Sequence, residues 1–140
     1  MKTPEGTISC LKAPTDLLAW WPKDDIQHIE ELLSIRLSDD PAALFDQLAD
    51  LSSWQGRCGA LLADAESLLD YAEQRALMSR QEDWTDLDRK VNLKASTRSE
   101  RRARNILASF SESLKNKIIS GMSLKKALTN EAFTGKVVEG

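Results

Sequence analysis

Seven residues, Leu51, Trp54, Cys58, Leu61, Ala65, Leu68 and Ala72, follow one another at spacings of three and four without a miss. Such a recurrence is the seam of a coiled coil or of a long packed helix, because residues three and four apart share one helical face. Leu44 extends the seam one heptad upstream, while Gln47 and Arg75 interrupt it at either end. The chain holds no alternating apolar and polar stretch of useful strand length, no internal repeat and no low-complexity tract, so an all-α fold is expected. Asp39-Asp40-Pro41 marks the start of this helix, since an Asp side chain accepts from the first backbone N–H groups and proline is pre-set for the first helical position. Gly56 and Gly59 fall inside it, where each costs up to about 1 kcal/mol relative to Ala. Their small size predicts a close crossing by a neighbouring helix, with a kink as the other reading.

A shorter helix is expected over 23–37, with Asp24 and Asp25 at its positive end and Ile26, Ile29, Leu32, Leu33 and Leu37 recurring at helical spacing. Upstream, residues 1–16 contain Pro4, Gly6 and Pro14 and read as an irregular leader. Thr15-Asp16 is expected to cap a short turn through Leu17, Leu18, Trp20 and Trp21, which Pro22 ends or kinks. Trp20 and Trp21 read as docked against the bundle or as part of an oligomer contact. The polar stretch Ser79–Asp86 loses the apolar period and reads as the reversal. A second long helix is then expected from about 87 to 120, stopped by Gly121. Ser123 is expected to cap a last helix over 124–133, before a tail over 134–140.

The expected architecture is one helical domain over 1–140, built on a long antiparallel helical hairpin with short additional helices. Residues 23–80 form its acidic half and 87–134 its basic half. Leu107, Phe110 and Leu114, with Ala103, fall on one narrow face of the second long helix. Together with Leu51, Trp54, Cys58, Leu61 and Leu68 they make a seam that a two-helix hairpin cannot cover alone, so a homo-oligomer is expected.

Charge divides the chain. Residues 1–86 carry seven Lys/Arg against seventeen Asp/Glu, and residues 87–140 carry twelve against five, a split hidden by the overall charge of −3. Between Arg89 and Arg104 stand seven cations and a single acid, Glu100, among short polar residues such as Ser96, Thr97, Ser99 and Asn105. At about 100° per residue, Lys90, Lys94, Arg98 and Arg101 fall opposite the apolar face, with Arg104 beside them and Arg102 in the same cluster. Guanidinium, ammonium and hydroxyl groups are the usual makers of phosphate contacts, and such a face binds with strong salt dependence and little sequence preference. Trp84, close to Arg80 and Arg89, is a candidate for stacking on an unpaired base or for packing the hairpin tip. The alternative is that the basic face closes on Asp64, Glu66, Asp70 and Glu73 of the first long helix. Exposed ion pairs contribute little to stability, so fold maintenance accounts poorly for the density of arginine.

Chemistry finds little footing. His28, the single histidine, has no second histidine or cysteine at metal-ligand spacing and reads as a surface residue. Gln55-Gly56-Arg57-Cys58-Gly59 lacks both the phosphate-loop lysine and the dinucleotide fingerprint. Cys10 and Cys58 suggest no nucleophile with its base. They read as free thiols of a reducing compartment, with a single disulfide as the other reading. No catalytic residue, metal or other cofactor is expected. No apolar run approaches the roughly twenty residues of a membrane span, and the stretch after Lys2 lacks the apolar core of a secretory signal, so the expected setting is cytoplasmic.

The half from about Leu68 to Phe133 resembles small phage recombination mediator proteins. The likeness is carried by a long helix, a polar turn, Leu93-Lys94-Ala95 leading a basic Ser/Thr-containing helix, Ser113-Leu114-Lys115-Asn116-Lys117-Ile118-Ile119-Ser120, and a closing Glu131-Ala132-Phe133. The resemblance implies a non-enzymatic, oligomeric phage protein that binds single-stranded DNA and helps load a recombinase, with Lys94 contacting DNA. It covers under half of the chain. The acidic half is expected to mimic nucleic acid or dock a basic partner protein. The rival expectation is a helical structural or protein-binding module, for virion assembly or inhibition.

Overall fold

The computed structural model describes residues 20–79 and 81–139, with side chains through residue 131. The expectations for the leader, for Thr15-Asp16, for Cys10 and for Arg80 lie outside the described residues. The chain is all-α: among the described residues four helices and no strand occur, α1 (Lys23–Ser34), α2 (Pro41–Met78), α3 (Asp86–Ser96) and α4 (Arg98–Glu139).

Helix α1 is shorter than its apolar period suggests. Ile35 turns extended at φ −75° and ψ 130°. The chain then crosses to α2 with its backbone held by Gln47, whose Oε1 accepts from Ser38 N at 2.8 Å and whose Nε2 donates to Arg36 O at 3.0 Å. Gln47 breaks the apolar seam because it satisfies the polar groups of this link. Leu37, although outside the helix, still packs on the core. At the start of α2, Asp40 Oδ2 accepts from Ala43 N at 3.1 Å and Pro41 takes the first helical position.

Leu48 of α2 approaches Gly121 of α4, the Cys58 thiol donates to Leu107 O at 3.5 Å, and Leu68 packs on Ala103. Numbers rise along one helix as they fall along the other, so α2 and α4 run in opposite directions. Between them lies the core: Leu44, Leu51, Cys58, Leu61, Ala65, Leu107, Phe110 and Leu114 are buried, with Ile26, Ile29 and Leu32 of α1 completing it. Trp54 and Leu68 are half-buried at its edge.

Three expectations are overturned. Gly56 and Gly59 are exposed, and a Cβ at either would meet nothing within 4 Å, so among the described residues no helix crosses there. Close approach occurs at Gly121, where a Cβ would run into the Leu48 side chain and lie 3.6 Å from Leu37 Cδ2. Gly121 is buried, has no positive φ and does not stop its helix: α4 continues through Ser123 and through the expected tail to Glu139. The long helix expected from 87 to 120 is instead broken at Thr97, separating α3 from α4.

Candidate nucleic-acid interface

The break at Thr97 organises the basic segment. Thr97 is β-branched and 1% exposed, with φ −114° and ψ 12°. Its N–H and hydroxyl both donate to Leu93 O, at 3.1 and 2.7 Å. The N–H bond keeps the i→i−4 spacing of a helix, as does Arg101 N to Thr97 O at 3.0 Å, while the added hydroxyl bond to the same carbonyl accompanies the departure of Thr97 from helical φ and ψ. Arg101 reaches back across the break, its Nε donating to Thr97 Oγ1 at 3.2 Å and its Nη2 to Lys94 O. Upstream, Thr85 and Asp88 form a reciprocal capping box, each accepting from the other's backbone N–H at 3.1 Å, which sets where α3 begins.

The cations predicted from the sequence therefore straddle a joint. Lys90 and Lys94 stand on α3; Arg98, Arg101, Arg102 and Arg104 stand on α4. Lys90, Lys94, Arg98 and Arg102 are exposed. Arg101 is half-buried and engaged at the joint, and Arg104 is half-buried, donating to Asn105 Oδ1 at 3.2 and 3.0 Å. Arg89 lies 3.6 Å from Asp86 one turn away. Among the described residues no carboxylate pairs with Lys90, Lys94 or Arg98. Asp64, Glu66 and Asp70 are exposed on α2, with Asp70 accepting instead from Gln74 at 3.3 Å.

Trp84 is not on this row. It is half-buried in a groove of about 570 Å³ between the end of α2 and the α3–α4 joint, lined also by Arg75, Asn92, Ser96, Ser99 and Glu100. None of Lys90, Lys94, Arg98, Arg101, Arg102 and Arg104 lines that groove. Among the oligomer seam residues, Leu51, Cys58, Leu61, Leu107, Phe110 and Leu114 are buried within a single chain. Large apolar side chains left in solvent lie elsewhere, including Phe45, Ile119 and Met122, and Leu87 and Val91 on α3.

Sequence reasoning assigned no role to Lys117. Its Nζ donates to Leu32 O and Leu33 O, both at 3.0 Å, and to Ile35 O, so one ammonium caps the C-terminal end of α1 from the side of α4. Burial lowers its pKa. A carbonyl-rich helix end facing a lysine leaves no mark in the period of either helix. His28 is also placed differently than expected: it is half-buried, its ring centre 4.2 Å from that of Trp54. Among the described residues no cluster of His, Cys, Asp and Glu is suited to hold a metal, and no helix is long and apolar enough to cross a membrane.

No protein-family model, no curated protein and no solved structure matches this chain.

Proposed function

We propose that this is a non-enzymatic accessory protein that binds single-stranded nucleic acid, DNA in the first instance, in the manner of a phage recombination or replication mediator acting in the cytoplasm. The observation that carries the reading is the row Lys90–Lys94–Arg98. Three cations stand exposed on both sides of a joint that Thr97 and Arg101 fasten, with no intramolecular carboxylate on them among the described residues. Cations in water need no partner to be stable, yet a row presented at one joint is what a strand of phosphates requires. Arg102 continues the row one turn along α4 and Arg104 flanks it from another side of the helix, while Arg101 acts by holding the joint. The strand is positioned and its charge offset, with no bond made or broken.

The acidic half, with Asp64, Glu66 and Asp70 exposed, offers a face for a basic partner protein. Phe45, Ile119 and Met122 supply apolar surface for self-association. The rival reading, a structural module whose basic face closes on the acidic helix, draws no support from Lys90, Lys94 and Arg98, which pair with no carboxylate among the described residues.

Fluorescence anisotropy of a labelled oligonucleotide at low salt tests the proposal. Binding by the wild-type chain, and its loss in the Lys90→Glu, Lys94→Glu, Arg98→Glu triple variant with helicity retained, is the expected result. Absence of binding, or binding unaltered by the triple reversal, removes it.

A further inference from the structure

The groove behind the joint carries chemistry that the cation row does not use. Arg75 stands on its α2 wall, Glu100 on its α4 wall, and Trp84 and Asn92 between them. Arg75 and Glu100 line one groove and yet form no ion pair among the described residues. The Arg75 guanidinium carbon sits 5.8 Å from the Tyr71 ring centre, a cation–π contact that leaves its N–H edge available. Glu100 is the single acid in the basic run from Arg89 to Arg104. A carboxylate placed among phosphate-binding cations weakens phosphate binding, so it points to a ligand that brings hydrogen-bond donors.

We infer that this groove receives a guanine base from the single strand that the cation row holds. The inference rests on the nucleic-acid reading above and names what that reading selects. Guanine alone among the common bases presents two adjacent donors, the ring N1–H and the exocyclic N2–H, on one edge and two adjacent acceptors, O6 and N7, on another. A carboxylate accepts the first pair with both oxygens. A guanidinium donates to the second pair in the commonest specific contact between arginine and a base. Trp84 provides a flat apolar surface for the base plane, and Ser96 and Ser99 place hydroxyls at the rim. Arg98 lies between those two serines in the chain, so phosphate row and groove meet at the same joint.

Three oligonucleotides of equal length separate the possibilities: all thymine, thymine with one central guanine, and thymine with one central abasic position. The expected result is that the guanine strand binds about tenfold tighter than the other two. In Glu100→Gln the all-thymine strand binds somewhat tighter, because a carboxylate has left the neighbourhood of the row, helicity is retained, and the preference for guanine falls to less than about twofold. Arg75→Gln, on the exposed side of α2, lowers the preference in the same way and guards against a misfolded first variant. Equal affinity for all three strands in the wild-type chain overturns the guanine assignment and leaves the cation row standing. A preference that survives Glu100→Gln also overturns it. Failure of every strand to bind at low salt overturns the row and the groove together.

Discussion

Lys117 shows how one side chain joins two elements. Its three carbonyl partners are backbone groups that the end of α1 leaves without a helical partner, and α4 supplies the donor. Replacing it with Met keeps the stem and removes the ammonium. The expected loss is about 1.5–3 kcal/mol of unfolding free energy in a urea titration, the usual worth of hydrogen bonds to a charged group. Cys58 works in the opposite way, as an inert filler. Burial pushes its thiol up to about 11 from an ordinary 9.0. The folded chain thus keeps a proton that the unfolded chain releases, so its contribution is intact below pH 9 and is lost as the pH climbs towards 11. Stability measured across that window falls more steeply for wild type than for Cys58→Ala. Leu107 is fully buried opposite Cys58. Leu107→Ala is expected to lower stability by about 2–5 kcal/mol.

At the scale of elements, the glycines of the two long helices have different duties and should respond oppositely to substitution. Gly56→Ala and Gly59→Ala add a methyl to open, exposed helix and are expected to raise stability by about 0.5–1 kcal/mol each in thermal or denaturant melts. Gly121→Val meets Leu48 and is expected to cost about 1–3 kcal/mol. The seam from Leu51 to Ala65 was legible because its period is that of the helix itself, although Trp54 is half-buried and beyond Ala65 burial passes to Leu69 and Ala76, with Leu68 and Ala72 half-buried. The start of α2 was legible because Asp40 and Pro41 act locally. The roles of the glycines were not, since a glycine in a helical pattern looks the same whether it faces solvent or a neighbour. The break at Thr97 was equally hidden. Leu93, Lys94, Thr97 and Arg101 continue a helical spacing, and only the backbone angles at Thr97 reveal that the helix is interrupted there. Sequence patterning therefore found the cations of the candidate site but treated them as one straight ladder. It also could not place Trp84 in a groove apart from them, because that depends on how α3 packs on α2.

Across the whole molecule, the division of charge between the two halves has a definite structural outcome. The acids of α2 do not cancel Lys90, Lys94 and Arg98, so a basic face persists on a chain whose net charge is −3. On the proposed reading, that basic face is the part of the surface to which an anionic strand is drawn. Self-association through Phe45, Ile119 and Met122 would set several such faces in a row. Light scattering is expected to show a mass above the 15.6 kDa of one chain that Met122→Glu brings down. The most direct test of the account is the slope of log affinity against log salt for a single-stranded oligonucleotide. Each phosphate contact adds about 0.7 to the magnitude of that slope, so neutralising Lys90, Lys94 and Arg98 together is expected to reduce it by about 2. An unchanged slope in that triple variant would contradict the claim that this row holds the strand.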